Sequence, residues 1–416
     1  MNLLNWSGRM HSLIINPIAP PVPGRDSIGM HLRMRLFVRA LGSISRKITI
    51  LYLTPPQHSS LAMEAHTLAA QQSEFWTTAV EPRLVRTGTT SRLFKAHYLD
   101  GLIEPMHQPD FHRFSGPDQV AGVARALAEG PDLVLAQRFH AMVPLLAGRL
   151  QPRRLAFDLD DLEYKMRWRA ASAQPLRFSK VAYLAHAARL FPAVATAIRR
   201  ADATFVCSEV DQAHLGSLRL GRKVQVVPNA VPFPNAVQDA PAAKVLLFLG
   251  NLEYEPNRQG AERLVQRIWP LVLARHADAR LVIAGRGAER VGGFTAPPPG
   301  VSFPGHVASL DDLYAGVGVV CCPITMGGGT RLKIIEAAAY AKPVVSTRLG
   351  AEGLDLRDGQ ELLLRDDDGS FADACADLLA NPSAAARLGA TARVRARTLY
   401  EAGMIEQRIS QLLSGL

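Results

Sequence analysis

The 416-residue sequence predicts an α/β protein of two doubly wound, Rossmann-like domains whose ligand loops face each other across a cleft. Three observations carry this expectation. Short runs that are apolar throughout, such as 244–249, 280–284 and 317–322, alternate with longer segments of helical periodicity. Strands apolar on both faces, separated by helices, belong to a parallel sheet covered on both sides. The alternation occurs twice, and between its two occurrences residues 232–243 read Pro-Phe-Pro-Asn-Ala-Val-Gln-Asp-Ala-Pro-Ala-Ala, a linker composition without period. The expected division is 1–235 for a first domain, 236–398 for a second and 399–416 for a closing helix.

In the first half, strands are expected at 12–15, 48–53, 133–136, 155–157, 204–207 and 224–227, with a basic helix over 28–40. Segments 56–130 and 165–200 show no assignable period. In the second half a strand over 244–249 ends at Gly250, and a helix spans 258–275 with Leu264, Ile268 and Leu271 on its apolar face. Strands follow at 280–284, 301–303, 317–322 and 343–346, with a helix over 330–341 before the last. Open parallel sheets bind ligands beyond the carboxyl ends of their strands. The loops placed there are 24–29, 137–140, 158–161, 250–257, 285–287 and 327–330.

A hydrophobic fraction of 48% with 20% charged residues is that of a globular chain with ample core. Charge is unevenly divided. Residues 1–230 hold 28 Lys and Arg against 17 Asp and Glu, a net of +11, and the remainder hold 19 against 20, a net of −1. A basic half beside a neutral half points to an anionic partner, either a lipid surface or a lipid-linked diphosphate, with a solvated basic face that has no partner as the plainer alternative. Nucleic acid is not expected, because there is no arginine-rich tail, zinc spacing or aromatic RNA signature. Cys207, Cys321, Cys322 and Cys375 lack metal spacing, and the adjacent pair in an apolar run reads as buried and reduced. No signal peptide or membrane-spanning run is recognisable, so the expectation is a cytoplasmic protein, peripheral on the inner membrane.

The sharpest motif is Thr325-Met-Gly-Gly-Gly-Thr-Arg-Leu-Lys-Ile-Ile-Glu336. Gly327, Gly328, Gly329 and Thr330 end a loop, and a helix begins with Arg331 and Lys333 in its first turn. A helix amino end already carries about half a positive charge and exposes free N–H groups. Cations placed there suit an empty protein poorly and a bound diphosphate well. Glu336, one turn beyond Lys333, is within reach of a group attached to that diphosphate, such as a ribose. The plainer alternative is a glycine turn with a surface Lys333–Glu336 pair worth tenths of a kcal/mol.

The remaining motifs are softer. No G-x-G-x-x-G or Walker lysine pattern occurs, which disfavours hydride transfer and P-loop hydrolysis. Gly24 and Gly29 fit a glycine loop touching donor or acceptor, and fit a strand-to-helix turn equally. Arg33, Arg35 and Arg39 after them read as a solvated basic face or one that meets a membrane. Asp158-Leu-Asp160-Asp161 at a strand end reads as capping of the next helix and cleft polarity in preference to a metal pair. Gln137-Arg138-Phe139-His140 follows another strand end, where His140 is a candidate base and equally a structural histidine. Asn229 is a candidate hinge residue.

Gly-Gly-Gly-Thr-Arg-Leu-Lys-x-x-Glu, Lys342-Pro-Val-Val-Ser-Thr347 and Gly350-Ala-Glu-Gly-Leu354 together resemble glycosyltransferase family 4, whose members have the GT-B fold. Val206-Cys-Ser-Glu209, Val227-Pro-Asn-Ala230 and Phe248-Leu-Gly-Asn-Leu252 follow that family's landmarks in order. The resemblance implies a sugar transferred with retention from a nucleotide-sugar to a lipid-linked or polysaccharide-precursor acceptor, with no cofactor and no obligatory metal. It implies that the second domain holds the donor and the first the acceptor, that Glu336 holds the ribose and that Gly327–Thr330 line the sugar diphosphate; Gly250, Asn257 and Arg286, in loops at strand ends, are further donor candidates. Gly24, Gly29, Arg138 and Asp160 are the acceptor candidates, and Arg331, Lys333 and His140 the catalytic ones. Two departures stand out. The first of the family's two glutamates would fall at Gly328, and the Arg and Lys that often follow the first strand of the second domain are absent from Gly250–Asn257. Arg331 and Lys333 are expected to replace that pair. A GT-B nucleotide-sugar epimerase and a non-catalytic nucleotide-sugar-binding protein are the alternatives.

Overall fold

The computed structural model describes residues 10–21, 29–54, 65–86, 111–172, 178–237, 244–292 and 297–416. The chain divides into two compact units. One runs to Val227 and takes in Ile405–Leu416, and the other is Pro228–Met404.

The first unit is built on β1 Met10–Asn16, β2 Ser45–Thr54, β3 Glu81–Arg86, β4 Leu133–Gln137, β5 Leu155–Asp160, β6 Ala203–Val206 and β7 Val224–Val226. These form one sheet in the order β3-β2-β1-β4-β5-β6-β7, parallel throughout. Ile14 of β1 lies opposite Ile50 on one side and Leu135 on the other. Helices cover the sheet, and Leu13, Ile15, Val134, Phe157, Phe139 and Leu190 belong to one core cluster. β3 lies in a segment without assignable period, because Glu-Pro-Arg-Leu-Val-Arg carries charges suited to an edge strand.

The basic helix is Gly29–Gly42, but its basic face is not uniformly solvated. Arg39 is exposed and reaches Glu406 at 3.4 Å. Arg33 is 1% exposed. Its Nη2 lies 2.6 Å from Asp158 Oδ1, and its Nη1 donates to the Val227 carbonyl at 3.0 Å. A buried guanidinium requires such partners. Asp158 accordingly stands inside β5 rather than in a loop. It does not cap the Glu163–Ser172 helix, because its carboxylate is engaged by Arg33.

The second unit carries β8 Val245–Leu249, β9 Arg280–Ala284, β10 Val301–Gly305, β11 Val319–Cys322, β12 Val344–Ser346 and β13 Leu363–Leu364. The sheet order is β10-β9-β8-β11-β12-β13, again parallel. Strand order reverses between β8 and β11, the kind of switch point where doubly wound sheets open a crevice.

The expected single helix over 258–275 is three segments: Glu255–Arg263, a π-helical turn Leu264–Ile268, and Trp269–Arg275. Pro270 has no N–H to continue an α ladder, and the wider turn, closed by the Trp269 amide on the Leu264 carbonyl, accommodates it. The added residue rotates the following face. Leu264 and Ile268 are buried as expected, but Leu271 is 46% exposed and Val272 takes its place in the core.

The closing helix expected over 399–416 is present as Ala402–Ser414. Pro382–Tyr400 ends at Glu401, whose extended backbone lies beside Val231, and Ala402–Ser414 begins a new helix. The Glu401 carboxylate accepts from the Met404 amide at 2.9 Å. All four cysteines are buried and free, as the apolar run around Cys321 and Cys322 suggested, and the Cys321 sulfur lies 3.7 Å from that of Cys375.

Candidate functional site

The glycine loop follows β11, and its helix runs Leu332–Ala339. Gly327 and Gly329 have φ of 105° and 71°, left-handed values that favour glycine. Arg331 stands at the N-cap with φ −91° and ψ 101°, one position before the helix proper, and no side chain caps the helix amides. Its guanidinium folds back on the loop. Nη1 donates to the Gly328 carbonyl and to that of Gly329 at 3.2 Å, and Nη2 to that of Met326 at 3.4 Å. A Cβ on Gly327 would lie 3.0 Å from Nη2, so the glycine makes room for this brace. Arg331 is 8% exposed, and its Nε has no partner among the described residues. Thr330 is held by Asn229, whose Nδ2 donates to its Oγ1 at 2.9 Å.

Lys333 lies in the first turn and is 7% exposed. Its Nζ donates to Asn257 Oδ1 at 2.9 Å and sits 3.9 Å from the centroid of the Phe248 ring. Burial lowers its pKa to about 8, with Arg331 pushing the same way and Glu336 opposing. Among the described residues no carboxylate stands within ion-pair distance of Lys333 or Arg331. Two buried cations therefore share one helix start with no ion-pair partner among the described residues, an arrangement that is costly unless something anionic arrives. Glu336, half-buried one turn further on, is pushed up to about 7 by burial against the pull of Lys333.

Gly250 follows β8 beside this group, and a Cβ there would lie 2.9 Å from Lys333 Nζ and 3.0 Å from Asn257 Nδ2. The loop after β9 supports it. Gly285 has φ 118°, and a Cβ on it would run into the Gly250 carbonyl. Arg286 accepts the Leu252 amide on its carbonyl at 2.7 Å. Gly250, Asn257, Lys333 and Phe248 thus form one cluster, and Gly327–Thr330 with Arg331 form the loop that leads into the same helix. Phe248 and Asn229 are members that sequence reasoning left out. A phenylalanine inside an apolar strand carries no signal of a cation beside it, and Asn229 is 101 residues from its partner.

His140, Arg138 and Asp160 belong to the first unit. Arg138 and Asp160 have φ of 63° and 60° at the ends of β4 and β5, unusual for non-glycine residues and a feature of functional sites. Asp160 accepts from the Cys207 thiol at 3.0 Å. Burial opposes its charge, but Arg33 and Arg138 outweigh it and hold its carboxyl below the usual range. His140 Nδ1 is 3.5 Å from Glu163 Oε1, and its ring packs on Phe111 and Phe114. Gly29 is the exposed first residue of the basic helix, and Gly24 lies outside the described residues. Among the described residues no group of three or more His, Cys, Asp or Glu side chains is placed to hold a metal ion.

Residues 243–381 match the family described as Glycosyl transferases group 1. The matched residues lie within the second unit and make up most of it. Among curated relatives, an uncharacterised 44.6 kDa protein of the cps region of Klebsiella pneumoniae is 27% identical over 136 residues, 30% of this chain and 35% of that protein. A phosphatidyl-myo-inositol mannosyltransferase of Mycobacterium leprae (strain TN) is 31% identical over 178 residues, 39% of this chain and 46% of that one. The matches thus span less than half the length of either relative. Among solved structures, Anabaena HepE in complex with UDP and glucose superposes with a TM-score of 0.65 at 16% identity, over 98% of this chain and 100% of that one. That likeness is one of fold, and the fold is GT-B.

Proposed function

We propose that the chain is a retaining, metal-independent glycosyltransferase that moves a sugar from a nucleotide-diphosphate sugar to a lipid-linked or polysaccharide-precursor acceptor. One observation carries the reading: Arg331 and Lys333 are buried at a glycine-led helix start with no carboxylate in range among the described residues. A donor diphosphate supplies the missing negative charge. As the glycosidic bond stretches, charge accumulates on the departing diphosphate, and the two preformed cations stabilise it. Glu336 takes the ribose hydroxyls, and Gly250, Asn257, Arg286 and Gly327–Thr330 line the donor.

Gly24, Gly29, Arg138 and Asp160 are assigned to the acceptor, and His140 to its hydroxyl. The net of +11 over residues 1–230 supports attachment to an anionic inner-membrane surface from the cytoplasmic side. No helix among the described residues is long and apolar enough to cross a membrane. UDP-sugars are the first donors to try, since HepE holds UDP. Arg331→Ala and Lys333→Ala are each expected to cut turnover roughly 10²-fold or more with the fold intact, as for other preorganised charge stabilisers. Near-normal turnover in both variants refutes the assignment.

A further inference from the structure

The surroundings of Lys333 hold an ammonium group without neutralising it. The Phe248 ring lies 3.9 Å from Nζ on one side. Gly250 leaves open the space in which a Cβ would stand 2.9 Å from it. On the remaining described contact, Asn257 Oδ1 accepts its hydrogen bond at 2.9 Å. The Asn257 amide is oriented from its other end, because Nδ2 donates to the Asn251 carbonyl at 2.8 Å. That carbonyl also receives the Tyr254 amide at 3.3 Å, so it belongs to the turn that opens the Glu255–Arg263 helix. With Nδ2 so engaged, Oδ1 faces Lys333. An amide oxygen directs an ammonium as well as a carboxylate does, yet leaves its charge whole. An aspartate of the same shape would close a buried ion pair.

We infer that Asn257 is the positioning residue for Lys333: its amide oxygen fixes the ammonium in place, and its neutrality keeps that charge available to an incoming diphosphate. Asn257 then acts on the donor through Lys333, an inference that rests on the diphosphate reading of the site.

The test compares the full chain with its Asn257→Asp, Asn257→Ala and Lys333→Ala variants, measuring UDP binding by calorimetry across pH and thermal melting in parallel. Asn257→Asp is expected to melt no lower than the parent yet bind UDP roughly 10- to 100-fold more weakly, the range of one charge-assisted hydrogen bond. Its alkaline loss of binding should move to higher pH, because aspartate holds the ammonium protonated. Asn257→Ala should also weaken UDP, without that upward move. A purely structural asparagine would leave the pH profile of Asn257→Asp unchanged. UDP binding by Asn257→Asp equal to the parent's, with Lys333→Ala impaired, overturns this inference alone. Equal binding by the parent and Lys333→Ala overturns the diphosphate reading and the inference with it.

Discussion

Lys333 should make the empty protein less stable, and the effect should be visible as a pH dependence. Burial lowers its pKa from 10.5 to about 8 in the folded chain. Between those values the unfolded chain binds a proton that the folded chain does not, so stability rises with pH across the window. A displacement of this size corresponds to about 3 kcal/mol. The cost is fully present below pH 8 and gone above about 10.5. Lys333→Met keeps the side-chain length and removes the titration. It also leaves Asn257 Oδ1 without its donor, which by itself costs about 1–3 kcal/mol but does not vary with pH. The diagnostic quantity is therefore the difference between the two proteins' unfolding free energies, measured in urea at pH 8, 9 and 10. It should move in favour of the parent by about 2–3 kcal/mol over that span. Glu336, pushed up to about 7, is ionised throughout and adds little slope. A difference that stays flat with pH would mean the ammonium is not desolvated, and the argument for an uncompensated cation would fall with it.

Three further outcomes follow from the same structure. Arg33→Met should destabilise the first unit by about 3–5 kcal/mol in chemical denaturation, because it strands the buried Asp158 carboxylate, and Arg33→Met combined with Asp158→Leu should recover much of the loss. Leu271→Gln should change stability by less than about 0.5 kcal/mol while Val272→Ala costs about 2 kcal/mol; equal losses at both positions would contradict the π-turn register. Gly285→Ala should lower the melting temperature and weaken UDP together, because the left-handed backbone alone costs about 1–3 kcal/mol and the Gly250 carbonyl must move away from Lys333.

What the sequence reveals and what it conceals divide along a physical line. Parallel strands are legible because both their faces are buried, so 280–284 and 244–249 read as strands from composition alone. β3 and β13 escape, the one a charged edge and the other only Leu363–Leu364. The glycine loop with Arg331 and Lys333 is legible because cations at a helix start contradict the macrodipole, and the contradiction is contained in a few adjacent residues. Arg33 is concealed because nothing local separates it from Arg39: both sit on one basic helix, and only Asp158, 125 positions away, decides that one is core and the other surface. The Lys333 site combines both cases. Its charge can be read from the motif, but its lack of compensation cannot, since that depends on Phe248, Gly250 and Asn257 arriving from β8 and the turn after it with no carboxylate among them. The absence of a counter-ion distinguishes a charge kept for a ligand from one used to hold the fold. Arg33 and Lys333 are both buried cations, and by this criterion the first belongs to stability while the second is the one we propose for binding.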